Sequence, residues 1–159
     1  MSQSEPLVNA TDYPLYVVTA AADGQRSGCM AGFVTQSSLQ PIRFLICISR
    51  VNHTFAVADK SEGLALHLLG ADQYDLASLF GEQSGDEIDK FARVQWSTGP
   101  DGVPVLAECA AWVAGRVIDR MRAGDHEAFL ISVTDGAAGT HQGRFMSSDA
   151  ESFKPGHPG

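Results

Sequence analysis

Short apolar runs separated by turn residues recur along this chain, and their spacing predicts a mainly β protein with a few short helices. Leu15–Ala22, LYVVTAAA, reads as a strand. Asp23-Gly24 is a hairpin turn, and residues Arg26 to Gly32 return as its partner. A polar loop follows, Thr35-Gln36-Ser37-Ser38, closed by Pro41. The apolar run Phe44–Ser49 is a buried strand, and Asn52 is placed to cap a helix from His53 to Lys60. Gly63–Leu69 is another strand. Asp72 is expected to cap a helix whose face includes Leu76, Leu79 and Phe80 and which Gly81 ends. A further helical turn is expected over Asp86–Phe91.

Gly99-Pro100-Asp101-Gly102 is loop punctuation, after which Val103–Leu106 leads into a long β pattern from Ala110 to Arg120. Alternation there puts Trp112, Ala114, Arg116, Ile118 and Arg120 on one face, with Ala111, Val113, Gly115, Val117 and Asp119 on the other. Ala123-Gly124-Asp125 turns the chain into a strand over Phe129–Thr134, and Arg144-Phe145-Met146 is placed to close the sheet. This pattern fits a β-barrel with helical decoration or an α+β sandwich.

Composition narrows the function classes. The 159 residues fit one domain, expected over 13–146, with a flexible start over 1–12 and a flexible tail over 147–159. Eleven Lys and Arg against 19 Asp and Glu give a formal charge of −8, which disfavours a nucleic-acid surface. The opening MSQSEPLVNATDYP has no basic region before an apolar core, so no signal peptide is expected. No apolar run approaches the ~20 residues that span a bilayer. Three widely spaced cysteines, Cys29, Cys47 and Cys109, suit free thiols in a reducing compartment, so a cytoplasmic location is expected.

The richest chemistry lies between Gly28 and Thr54, GCMAGFVTQSSLQPIRFLICISRVNHT. Hydroxyls at Thr35, Ser37 and Ser38, the Arg50 guanidinium and the helix start near Asn52 suit a bound phosphate. An ordinary loop, strand and helix with solvated polar residues is the alternative. The five histidines show no HxH or HExxH spacing and the cysteines no CxxC, so no metal site is expected. Cys47 reads as a small buried hydrophobe, Trp112 as core, and Asp86-Glu87-Ile88-Asp89 as a solvated helix face or first turn. Ser37-Ser38 lacks a GxSxG elbow.

The same stretch resembles the flavin reductase-like family, the FMN-binding split barrels. That family often carries a run like A-N-S-F-T-S-V-S-L-x-P-P, an apolar strand, then C-V-x-R-x-S-x-T. Here Ala31, Thr35, Ser38, Leu39 and Pro41 match the first part, and Cys47, Arg50 and Thr54 the second. Gly124-Asp125-His126 resembles the family's G-D-H before a strand, and Gly143-Arg144-Phe145 its terminal G-R-F. The resemblance runs from about Tyr13 to Phe145.

The resemblance implies a split barrel, forming a homodimer with two flavin sites near the subunit interface. It carries flavin binding to Ala31, Thr35, Ser38, Arg50 and Thr54. Gly32, Phe33, Ser37, Cys47 and Asn52 complete the cofactor-binding set. Phe33 stands where the family has a small polar residue, and is able to stack on the flavin ring or to narrow the site; Gln36 stands in place of Ser. The implied catalytic residue is His126, which would stabilise charge on the flavin N1–C2=O edge or near the incoming nicotinamide. The implied activity is reduction of FMN or FAD by NADH or NADPH, with or without delivery of reduced flavin to a partner monooxygenase. A non-catalytic FMN electron carrier, or a split barrel that binds another ligand, are the alternatives. The absence of a Rossmann glycine fingerprint leaves the choice of nicotinamide open.

Overall fold

Val17 and Val18 are adjacent, fully buried, and belong to different cores. Successive strand residues point to opposite faces, so the first long strand is covered on both sides. A computed structural model, which describes residues 5–82 and 89–153, explains how. Strand β1 (Tyr16–Ala22) lies between β2 (Gln25–Ala31) and β5 (Gly63–Leu68), all antiparallel. The remaining strands of this sheet are β3 (Val34–Leu39), β4 (Ile42–Ser49), β8 (Ala111–Arg122) and β9 (His126–Ala138). The order across the sheet is β2-β1-β5-β8-β9-β4-β3.

The sheet curls on itself. Cys29 and Ala31 of β2 share one core with Ile46 and Ile48 of β4, although these strands lie far apart in the strand order. Where the chain leaves β2, the Cys47 amide donates to the Phe33 carbonyl at 2.9 Å, tying the two ends together. Helix α2 (His53–Ala58) contributes Val57 and Ala58 to this core. Burial of these aliphatic and aromatic side chains, on the order of 1.5–3 kcal/mol each, is the main stabilising term.

The outer face of β1 is covered by helix α3 (Tyr74–Glu82), a 3-10 turn at Lys90–Arg93, and Phe145. Lys90 is buried there. Its Nζ donates to the Gly28 and Phe80 carbonyls at 3.2 and 3.1 Å, which joins α3 to β2. A separate hairpin, β6 (Trp96–Thr98) with β7 (Pro104–Leu106), packs beside β5 and β1. His67 of β5 bridges the layers. Its Nδ1 bonds the Val17 carbonyl at 2.9 Å and its Nε2 accepts from the Leu106 amide at 3.0 Å.

Several expectations change. Thr35–Ser38 is not a loop but the middle of β3, an edge strand whose register shifts between Gln36 and Ser38. Its polar side chains are mostly exposed, so it lacks the apolar alternation of a half-buried strand. Gly81 lies inside α3 and does not end it, and Asp72 accepts from His141 at 2.9 Å instead of capping. Val103–Leu106 pairs with β6 and does not run on into β8. Alternation in β8 holds at Trp112 and Ala114 against Val113 and Val117, then breaks where Ile118 bulges out of register. Of the turn expected over Asp86–Phe91, residues 86–88 lie outside the described residues, as does most of the acidic run; Asp89 accepts from the Phe91 amide at 3.1 Å.

Within the described residues both polar ends carry structure. Glu5–Ala10 forms helix α1 with no buried residue. Ser147–Ala150 forms a 3-10 turn, and Phe153 packs against Phe145 and Tyr74. Residues 144–146 bridge without forming a strand: the Leu15 amide donates to the Phe145 carbonyl, and the Phe145 amide to the Leu69 carbonyl. No helix among the described residues is long and apolar enough to cross a membrane.

Candidate functional site

A cleft of about 280 Å³ opens where β2 hands over to β3. Met30, Ala31, Gly32 and Phe33 form one wall, Cys47, Ile48 and Ser49 of β4 another, with Tyr13, Leu15, Cys29, Asn52 and His126 completing the lining. The walls are mostly apolar, and the polar groups gather at Ser49, Asn52 and His126. Such a cleft suits a planar ring with one polar edge.

Local sequence explains the shape. A Cβ on Gly32 would lie 2.6 Å from Tyr13 Cε2, so only glycine allows the tyrosine ring this close. Tyr13 and Phe33 then meet at 5.9 Å between centroids, and Phe33 meets the His126 ring at 5.0 Å, both tilted. Phe33 is 54% exposed, which is unusual for a phenylalanine and leaves much of its ring open to a ligand.

His126 is the first residue of β9, paired with Ser49 of β4. Gly124, at φ +97, makes the turn that delivers it, and the Arg50 amide donates to the Asp125 carbonyl at 2.9 Å. The Asp125 Oδ1 lies 2.7 Å from His126 Nδ1. That hydrogen bond first, and attraction to the imidazole charge second, hold the Asp125 carboxyl below its ordinary value. Near neutral pH Asp125 is an ionised acceptor, so Nδ1 donates and Nε2 is the ring nitrogen left for a ligand.

The cleft brings together Ala31, Gly32, Phe33, Cys47, Asn52 and His126 of the expected set. The others lie apart. Thr35, Ser37 and Ser38 sit along edge strand β3, beside the cleft and not in its wall. Thr54 faces the core, with its hydroxyl 2.8 Å from Ser27 Oγ. Asn52 caps α2, its side chain accepting from the Thr54 amide at 2.9 Å, so that oxygen is already engaged. Arg50 reaches Glu127 at 3.3 Å and lies 5.4 Å over the Phe55 ring. A phosphate at Arg50 must therefore share the guanidinium with Glu127 or displace it.

Burial pushes the Cys47 thiol up and the Cys29 thiol up to about 11, so neither is a thiolate near neutral pH. Among the described residues no group of three or more His, Cys, Asp or Glu is placed to hold a metal ion. Sequence reasoning missed Tyr13, Leu15, Cys29, Met30, Ile48 and Ser49 as lining residues. Ser49 was within reach, because it lies two residues from Cys47 and shares its strand face.

A family model described as Flavin reductase like domain matches residues 8–150, most of the chain. The chain belongs to the flavin reductase like domain family. The reductase component of 4-nitrophenol 4-monooxygenase/4-nitrocatechol 2-monooxygenase from Rhodococcus opacus is 34% identical over 135 residues, spanning 81% of this chain and 71% of that protein. The ferric-chelate reductase (NAD(P)H) of Archaeoglobus fulgidus is 27% identical over 125 residues, spanning 77% of this chain and 74% of its own. The flavin reductase domain protein of an Arthrobacter species superposes with a TM-score of 0.83 at 21% identity, over 97% of this chain and 94% of that one. At that identity the likeness is one of fold, and with the curled antiparallel sheet it identifies a split barrel.

Proposed function

We propose that this member of the family is an NAD(P)H-dependent flavin reductase that binds FMN, or FAD, in the cleft between Gly32-Phe33 and His126. The observation that carries the reading is the juxtaposition in one small cleft of an open aromatic wall, apolar sides and a carboxylate-oriented imidazole. The residues present fit the cofactor: the apolar sides suit a flat ring, Arg50 follows β4 near the polar end as the cation for the anionic tail, and the hydroxyls of Thr35, Ser37 and Ser38 lie further along on edge strand β3. When bound, the flavin supplies the ability to accept a hydride.

The chain supplies position and electrostatics. Ala31, Gly32, Phe33 and Cys47 hold the ring and exclude water from its faces. Asp125 fixes the imidazole so that Nε2 of His126 offers a polar contact at the polar end of the cleft, an acceptor in the neutral ring and a donor in the imidazolium. Asn52 keeps α2 capped beneath that end, and Thr54 supports it from the core. Supply of reduced flavin to a monooxygenase is supported by the Rhodococcus relative, which is named as the reductase component of a monooxygenase. We assign the working form as a cytoplasmic homodimer, with 13–146 as its catalytic domain.

The test is anaerobic mixing of the protein with FMN and NADH or NADPH. Bleaching of the visible flavin band, faster than without protein, is the expected result. Flavin binding without bleaching would favour an electron carrier, and no binding would leave a split barrel for another ligand.

A further inference from the structure

Tyr13 lines the cleft, and an extended set of contacts holds it in place. Behind it, Asp12 clasps the 3-10 turn Ser147–Ala150 near the other end of the chain. Asp12 Oδ1 accepts from Ser147 Oγ at 2.7 Å and from the Ser148 amide at 2.9 Å, and Oδ2 accepts from Ser148 Oγ at 2.8 Å. These bonds, the one from Ser147 foremost, hold the Asp12 carboxyl below its ordinary value. Tyr13 is then bracketed by its own backbone: its amide donates to Ser147 Oγ at 3.2 Å, and its carbonyl accepts from the Ser147 amide at 2.8 Å.

In front, the Tyr13 ring crowds Gly32, meets Phe33, and through Phe33 backs His126. The geometry points to Asp12 as a positioning residue: its clasp on Ser147 and Ser148 sets the Tyr13 ring, and through it the Phe33–His126 wall of the flavin cleft. The inference rests on the flavin reading for its ligand, but the wall itself exists without one. The two carboxylate oxygens are not equivalent. Oδ1 takes two of the bonds, and asparagine retains that acceptor while its amide nitrogen can donate to Ser148 Oγ. Asp12→Asn therefore preserves the clasp and Asp12→Ala removes it.

The experiment has two readouts. The first is the His126 imidazole proton resonance in ligand-free protein, identified by its loss in His126→Ala. It reports the ring current of Phe33 and needs no flavin. The second is the riboflavin dissociation constant. Asp12→Ala is expected to move the resonance and weaken riboflavin by about threefold to tenfold, a usual coupling for contacting residues. Asp12→Asn should match the wild type in both. In a Tyr13→Ala background, Asp12→Ala should have no further effect.

Ser148→Ala, which keeps the backbone bond, should give a smaller change of the same sign and serves if Asp12→Ala fails to fold. An unmoved resonance overturns the proposal. So does an Asp12 effect that persists undiminished without the Tyr13 ring, or unaltered riboflavin affinity in a protein that binds it. Failure of the wild type itself to bind riboflavin overturns the flavin reading, and the resonance then decides the clasp alone.

Discussion

Asp125 Oδ1 stands 2.7 Å from His126 Nδ1, and the two residues are consecutive in the chain. A carboxylate bonded to its neighbour's imidazole fixes the tautomer without help from any distant element. His126 is partly covered, its side chain 26% exposed against 88% for Asp125, so the carboxylate faces water while the imidazole borders the cleft. His126→Ala should slow anaerobic flavin reduction by NADH about tenfold to a hundredfold, the range for one lost polar contact in a transition state. Flavin affinity should change less. Stopped-flow reduction with parallel binding measurements checks this, and an unchanged rate would leave His126 a structural residue at the start of β9.

Arg50 and Glu127 make the phosphate prediction sharper than sequence alone allows. The pair is partly buried, with side-chain exposures of 29% and 12%, so Glu127 competes with any anion for the guanidinium. Arg50→Ala should weaken FMN about tenfold more than riboflavin, which has no phosphate. Glu127→Gln should tighten FMN by about threefold or more, because it removes the competing charge. Titration of both variants with both flavins is the check. Equal losses for FMN and riboflavin in Arg50→Ala would mean that Arg50 acts only on the fold.

His67 gives a pH dependence unrelated to the cleft. Burial is the main cause that brings its imidazole down from 6.5 to about 4, with the Val17 carbonyl opposing. The unfolded chain binds a proton at higher pH than the folded one, so stability falls as pH drops from about 6.5 towards 4. That amounts to about 2 kcal/mol between pH 7 and pH 5. Urea unfolding at those two pH values should show this slope in the wild type and a shallower one in His67→Gln. Equal slopes would show that His67 titrates normally.

Much of the fold was legible because local chemistry agrees with it. Asp23-Gly24 makes the β1–β2 turn, with both residues at positive φ, and Asn52 caps α2 as its position predicted. Strand β3 was not legible, since an exposed edge strand of Thr, Gln and Ser shows neither an apolar run nor alternation. The burial of Lys90 has no local signal, since the groups that hold its ammonium, the carbonyls of Gly28 and Phe80 and the Phe80 ring, come from elsewhere in the chain. In the site, the segments holding Ala31 and His126 were visible as motifs. Tyr13 was not, because its place depends on Gly32 beside it in space and Ser147 near the far end of the chain.

Flavin is assigned to the cleft between Gly32-Phe33 and His126. The most direct measurement is a crystal structure of the protein with FMN bound. The flavin ring is expected in that cleft, in contact with Phe33 and within hydrogen-bonding reach of His126 or Asn52. Its phosphate should lie against Arg50. A ring bound elsewhere on the molecule, with the cleft closed over Phe33, would contradict it.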